Sequence, residues 1–374
     1  MWNVSVRKFS RLASRKVRLP LSTQVHSGVM KRISKVTSLL AVFLTICTVS
    51  GCSSPQSSSD TLISNVSEAG KTLEWGENIK SQALQMINSA SSFCYLDMYE
   101  LSDSDIMQAL ISAKRRGVSV QVIVDATEVH SQRVAIPTLR DAGIPVSVLD
   151  IPGGISHIKM LICGNHVLIG GMNFGAHSWQ NNDASVYFPN AGRQFESLFL
   201  WDESRATGIP AEAPVTAPLL LYDRSIEPAV IQAIQSARHS INMEAFDLSD
   251  RGVVDALREA LTRGVSVKIL LDPTEYFSRK PARSLLDTGA VVRYYRPYAG
   301  ELMHAKILDV DGGEIFLIGS ANFSHQAYLK NHEADVELRN MPEFAHSLEE
   351  NLDEQMGRGT DSATSRRHTK EGGW

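Results

Sequence analysis

Two short runs carry the residue types that could do chemistry: His157-Ile158-Lys159 and His304-Ala305-Lys306, each histidine and lysine standing 147 residues from its counterpart. Along a strand, residues two apart share a face, so each histidine would project beside its lysine. Imidazole and ammonium together suit a nucleophile or acid next to a clamp for developing negative charge. Further along come Gly170-Gly171-Met172-Asn173 and Gly319-Ser320-Ala321-Asn322. After those come Asn181-Asn182-Asp183 and Asn331-His332-Glu333. Apolar residues on either side of Asp311-Gly312-Gly313 read as a β-hairpin.

The spacing of His304, Lys306 and Asp311, with Asn322 and Glu333 after them, resembles the H-x-K-x-x-x-x-D signature of the phospholipase D superfamily. Members of that superfamily carry the signature twice, as residues 70–345 of this chain do. The resemblance implies two phospholipase D-like α/β sandwich halves related by pseudo-twofold symmetry, with the active site at their interface. It also implies a division of labour. One histidine attacks a phosphodiester to give a phosphohistidine, and the other protonates the leaving oxygen. By analogy with two-motif relatives, His157 attacks and His304 protonates. Lys159, Lys306, Asn173 and Asn322 would hold the non-bridging oxygens. The resemblance further suggests that Glu333 orients His304 and Asp183 orients His157, with Asp311 bracing its hairpin and Ser320 in support. Neither a cofactor nor a metal is called for.

The first motif departs from this pattern. Gly164 stands where the hairpin aspartate belongs, and Gly171 replaces Ser320. His157 to Asn173 spans 16 residues against 18 for His304 to Asn322, so the first hairpin is two residues shorter.

The elements that must position these residues also repeat. Residues 84–150 and 231–297 run in parallel, and Arg116-Gly117-Val118-Ser119-Val120 recurs as Arg263-Gly264-Val265-Ser266-Val267. Each half reads strand, amphipathic helix, Arg-Gly turn, strand ending in Asp125 or Asp272, helix, strand and hairpin. Strands alternating with helices argue for α/β layers around a buried sheet. Two copies of this length make a monomeric pseudo-dimer, not a solenoid. The halves are expected at 70–200 and 219–356, joined by an Ala/Pro-rich linker at 201–218 and followed by a disordered tail at 357–374.

Residues 1–51 hold nine Lys or Arg and no Asp or Glu. A basic stretch from Met30 and an apolar run from Val36 to Val49 read as a signal peptide, with Met30 as a candidate start. Val49-Ser50-Gly51-Cys52 resembles a bacterial lipobox, so Cys52 is expected to be lipidated and 52–69 to form a tether. That places the protein in the cell envelope, on the periplasmic side of an outer membrane if the host has one. Removing 1–51 leaves 28 basic against 41 acidic residues, a balance of −13, which disfavours general affinity for nucleic acid.

The expected partners are therefore a phospholipid substrate, the membrane surface, and water or an alcohol as acceptor. An extracytoplasmic endonuclease and a catalytically silent envelope scaffold remain the alternatives. Asp97 and Glu244, at equivalent strand positions, read as cleft-bordering or half-buried structural acids. His130, His166, His177, His325 and His332 have no repeat partner and are expected on the surface or in loops. Cys94 and Cys163 are expected buried and free, with a disulfide as the alternative. Residues 129–137 and 277–282 differ between the halves and carry no legible headgroup or base.

Overall fold

The computed structural model describes residues 70–214 and 219–362. The expected signal peptide, the lipobox Cys52 and the tether lie outside the described residues.

In the first half, β1 (Thr72–Trp75), α1 (Glu77–Ser89), β2 (Phe93–Met98), α2 (Ser104–Arg115) and β3 (Ser119–Asp125) come in turn. Next are α3 (Ile136–Asp141), β4 (Val146–Leu149), the hairpin β5 (Lys159–Cys163) and β6 (His166–Gly170), then β7 (Ala184–Phe188) and α4 (Gly192–Thr207). The second half repeats the plan. It runs through β8 (Leu220–Tyr222), α5 (Ile226–Ser236), β9 (Ser240–Ala245), α6 (Arg251–Thr262), β10 (Ser266–Leu271), α7 (Arg279–Thr288) and β11 (Val291–Tyr294). It closes with the hairpin β12 (Lys306–Val310) and β13 (Ile315–Gly319), then α8 (His325–Leu329), β14 (Ala334–Arg339) and α9 (Pro342–Arg358).

Each half builds one seven-stranded sheet, ordered β1-β7-β6-β5-β2-β3-β4 and β11-β10-β9-β12-β13-β14-β8. The helix-linked strands β2, β3 and β4 pair in parallel, and the hairpin joins β2 antiparallel. The expected α/β sandwich halves are thus observed. α2 and α6 begin at matching caps, where the Asp103 and Asp250 carboxylates accept N–H groups of the first turn. Both end at glycines with positive φ, Gly117 (92°) and Gly264 (88°), where a side chain would be strained.

β5 and β12 are buried along their whole length, because α1–α3 or α5–α7 cover one face of each sheet, while α4, α9 and the opposite half cover the other. Ile158, Met160, Val186 and Phe195 of the first half share one apolar cluster with Ala305, Ile307, Ile318 and Leu348 of the second. Burying each large aliphatic there contributes roughly 1.5–3 kcal/mol, so the halves are held together by a shared apolar cluster between their own cores.

Two boundaries differ from expectation. Residues 201–207 are the last turns of α4, ending at Gly208 with φ 71°. The buried side of that helix continues from Phe195, Leu198 and Phe199 to Asp202, a helical spacing that outweighs the Ala/Pro composition; the connection starts only after Gly208. At the other end, α9 runs to Arg358, and Thr360 exchanges two backbone hydrogen bonds of 2.9 Å with Tyr294. Residues 357–360 of the expected tail are therefore held in place, and residues 363–374 lie outside the described residues.

Candidate active site

The loops that carry the site are fixed by backbone bonds repeated in both halves. The Phe174 carbonyl accepts the N–H groups of Ser102 and Asp103 at the start of α2, and Phe323 does the same for Ser249 and Asp250 at α6. Asn173 and Asn322, one residue earlier, are thereby held in place, and their buried Oδ1 atoms have no hydrogen-bond partner among the described residues. At the C-terminal ends of β3 and β10, Asp125 Oδ2 accepts the Ser156 N–H at 2.7 Å and Asp272 Oδ2 the Met303 N–H at 2.9 Å. Each aspartate thus sets the residue just before a catalytic-candidate histidine. The repeat Asp125-Ala126-Thr127-Glu128 and Asp272-Pro273-Thr274-Glu275 was legible in the sequence and could have marked both.

His157 and His304 are 7% and 9% exposed, while Lys159 and Lys306 are 2% exposed. Lys159 Nζ donates to the His157 carbonyl at 2.6 Å, and Lys306 Nζ bonds the His304 carbonyl and lies 3.0 Å from its Nδ1. Tyr99 packs edge-on against His157, with ring centroids 4.9 Å apart, and Phe246 lies at the same distance from His304.

The orienting acids are crossed, which corrects the expected assignment. His157 Nδ1 is 2.9 Å from Glu333 Oε2, and His304 Nδ1 is 2.7 Å from Asp183 Oδ2. The cause lies in the backbone. The His332 N–H donates to the Ile155 carbonyl and its own carbonyl accepts the His157 N–H, both at 2.8 Å. Asn182 makes the corresponding bonds with Leu302 and His304 at 2.8 Å. Each Asn-x-acid segment thus lies parallel to the approach to the opposite histidine, and its acid reaches across the pseudo-twofold axis.

The acids are held differently. Ser320 Oγ donates to Glu333 Oε2 at 2.6 Å and accepts the Ala334 N–H at 3.0 Å; Asn331 donates to Glu333 Oε1 at 2.9 Å. In the first half Asp183 Oδ1 itself accepts the Ala184 N–H at 2.8 Å. A Cβ on Gly171 would stand 2.2 Å from that oxygen, so the shorter acid and the glycine replace the longer acid and the serine together.

The missing hairpin aspartate also has a physical counterpart. Asp311 accepts the N–H groups of Arg238, His239 and Ser240 at 2.7–3.3 Å, tying the end of the hairpin to the start of β9. Gly164 stands in its place with a similar φ, 61° against 53°. One residue earlier, Cys163 of β5 is bonded to Cys94 of β2, with Cα atoms 4.2 Å apart. The two thiols are therefore not free. They face each other in the strand register, a pairing that β2 and β5 decide and that neither apolar run discloses alone.

Electrostatically the site couples burial with like charge. Burial, then Lys159 and Lys306, holds the His157 imidazole well below its ordinary value; burial and Lys306 bring His304 to about 4. Burial lowers Lys159 to about 7 and Lys306 to about 8, opposed by Glu333 and Asp183. Glu333 is pushed up to about 7 by burial. Both imidazoles are therefore neutral at rest. With Nδ1–H given to a carboxylate, Nε2 keeps its lone pair and can act as nucleophile or base.

Behind this layer lies a second crossing. His332 is buried, not a surface residue: its Nε2 is 2.9 Å from Asp202 Oδ1 of the first half and its Nδ1 2.6 Å from Asp223 Oδ1. Those acids outweigh burial and raise its imidazole to about 10. At the equivalent place Asn182 donates to Glu244 Oε2 at 2.9 Å, with Asn351 on the other oxygen at 2.6 Å. Glu244 is thus a fully buried member of the inter-half packing, and Asp97 is buried near Asp202 and His332. His130, His166, His177 and His325 are exposed as expected, His130 beside Glu128.

The model of the family described as "Cardiolipin synthase, PLD-like domain" matches residues 83–199 and 230–356. A phospholipase D of Rickettsia prowazekii is 33% identical over 104 residues, covering 28% of this chain and 50% of that protein. The minor cardiolipin synthase ClsB of Bacillus subtilis is 23% identical over 304 residues, covering 70% and 75%. Cardiolipin synthase A of Pseudomonas fluorescens is 25% identical over 301 residues, covering 69% and 62%. The chain therefore spans half the length of the Rickettsia protein that it matches and 62–75% of the two synthases. Among solved structures, phosphatidylserine synthase of Haemophilus influenzae shares the fold with a TM-score of 0.60 at 12% identity, covering 79% of this chain and 89% of that one. With the family model matching both halves over the segments that carry the paired histidines and lysines, the chain belongs to the cardiolipin synthase, PLD-like domain family.

Proposed function

We propose that the chain is a phospholipase D-type phosphodiesterase that acts on phospholipids, by hydrolysis or phosphatidyl transfer. The observation that carries this reading is the crossed pair of His–carboxylate couples, His157–Glu333 and His304–Asp183, with two buried lysines between them. His157 Nε2 attacks phosphorus and forms a P–N bond. The P–O bond to the leaving alcohol breaks as the other imidazole, which takes up a solvent proton at Nε2 when the anionic substrate binds, delivers that proton to the departing oxygen. Water or an alcohol, deprotonated by the same imidazole, then displaces His157. The phosphodiester's own negative charge favours the protonated lysines, and through them the charge state needed for phosphate binding.

A phospholipid substrate is favoured over a polynucleotide by the surroundings of the site. Glu100, Glu128, Asp247 and Glu275 flank the two histidine loops, and burial, then Asp247 and Asp272, pushes Glu275 up to about 7. Such an arrangement suits one phosphodiester beside a cationic or hydroxylic group better than a row of phosphates. Export and acylation at Cys52 belong to the same proposal and rest on Val49-Ser50-Gly51-Cys52; replacing Cys52 by Ser should release the protein from membranes and abolish palmitate labelling.

The direct test offers the purified protein mixed phospholipids and plasmid side by side, with and without chelator. Phospholipid turnover that survives the chelator is expected. Turnover of plasmid alone would make the protein a nuclease, and turnover of neither would favour a silent scaffold.

A further inference from the structure

The loops that follow β3 and β10 are rooted at both ends beside the histidines. At one end Asp125 and Asp272 bond Ser156 and Met303, each next to a histidine. At the other end Ser131 Oγ accepts the Leu101 N–H and Ser278 Oγ the Leu248 N–H, both at 2.9 Å. Leu248 follows closely on Phe246, whose ring lies against His304. The tips between these roots have nowhere to go but out. Val129, at the first tip, is 46% exposed; Tyr276 and Phe277, at the second, are 67% and 70% exposed. Val129 and Tyr276 are counterparts in the 147-residue repeat, so both sides of the site carry an outward apolar residue, and only the second carries two aromatic rings.

Leaving two adjacent aromatic rings in water forgoes the burial that large side chains of this kind normally gain. Tyr276 and Phe277 instead pack edge to face on one another, with centroids 5.8 Å apart. The Arg279 guanidinium lies 5.5 Å from the Tyr276 ring, and Lys280 after it is exposed. Tyrosine and phenylalanine at a tip with cations just behind is the composition that partitions into the headgroup layer of a bilayer, rings inward and cations at the phosphates.

We propose that the loop Asp272–Ser278 docks the protein on phospholipid interfaces, with Tyr276 and Phe277 entering the headgroup layer beside His304. The docking rests on the phospholipid reading proposed above and adds how a substrate embedded in a bilayer is presented to a recessed pair of histidines. It is one-sided, because the first-half tip has Val129 and His130 where the second has Tyr276 and Phe277.

The test compares the full chain with its Y276S/F277S variant, both also carrying Cys52→Ser so that no acyl chain masks the effect. Each is assayed on monomeric dihexanoyl phosphatidylglycerol below its micelle concentration and on vesicles of equal parts phosphatidylglycerol and phosphatidylcholine, and each is co-sedimented with the vesicles. Vesicle turnover and co-sedimentation should fall about tenfold or more, as expected for two lost interfacial aromatics, with monomer turnover held within about twofold. A Y276W/F277W variant should keep vesicle binding, which a misfolded loop would not. Equal loss on monomer and vesicle, or no loss on either, overturns docking by this loop. Absence of turnover on both substrates by the parent protein would overturn the phospholipid reading, while co-sedimentation would still report the docking.

Discussion

His157 is bonded through Nδ1 to Glu333, 176 residues further along the chain, at 2.9 Å, and not to Asp183 of its own half. Each histidine therefore depends on the opposite half for its tautomer. Glu333→Gln should disable the step performed by His157, and Asp183→Asn the step performed by His304. With a nitrophenyl phosphodiester, whose leaving group needs little protonation, Asp183→Asn should keep the initial burst. Glu333→Gln should slow it by about 10²-fold or more, as loss of an orienting carboxylate does. Stopped-flow absorbance separates the two. The opposite pattern would mean that each acid serves the histidine of its own half.

The two histidines should also separate by the adduct they leave. His304→Ala should release nitrophenolate once and then stall, because no base remains to activate the acceptor, with the phosphoryl adduct on His157. His157→Ala should give no burst. Mass spectrometry locates the adduct; finding it on His304 of the His157→Ala protein would reverse the assignment.

Anion binding should take up protons. Burial holds Lys159 at about 7 and Lys306 at about 8, so near pH 8 a substantial part of the pair is neutral. A bound tungstate or phosphate stabilises the ammonium forms and raises both values, so protons are drawn from the buffer. Calorimetric titration in two buffers of different ionisation enthalpy should show net uptake near pH 8 that fades below about pH 6. Net release would contradict the placement of the lysines at the phosphate. The same site needs no divalent ion for these roles, so binding should persist in EDTA.

His332 should tie stability to pH. Asp202 and Asp223 raise its imidazole from 6.5 to about 10. A group raised on folding contributes fully below its unfolded value and loses that contribution as pH rises through the folded value. The stabilisation is therefore complete below about 6.5 and declines towards about 10. His332→Asn, which copies Asn182 of the other half, should lower the Tm at pH 6 and flatten its fall between about pH 7 and 10. Equal loss of Tm at every pH would point to packing alone.

The two halves should fail differently when their hairpin braces are removed. Reducing Cys94–Cys163 reopens a loop of 69 residues, worth about 4 kcal/mol in the chain-entropy account. Asp311→Ala leaves the N–H groups of Arg238, His239 and Ser240 without their acceptor, at a cost of about 1–3 kcal/mol. Hydrogen exchange should show loosening around β2–β5 in the first case and β9–β12 in the second. A Tm indifferent to reductant would count against the disulfide as a brace.

The sequence by itself determined what is local or periodic. The 147-residue repeat placed the strands, the capped helices and both hairpins, because cap residues, positive-φ glycines and apolar alternation act within a few residues of themselves. Residue type together with the paired spacing and the resemblance it carries singled out His157, Lys159, His304 and Lys306. Only the tertiary structure decided which of these groups serve one another. The Asn-x-acid segments cross the pseudo-twofold axis because their backbones find partners in the opposite half, and spacing along a chain cannot say from which side an acid arrives. The same holds for Cys94 and Cys163, which meet through strand register, and for His332, which no repeat partner marked and which three-dimensional packing put between two acids.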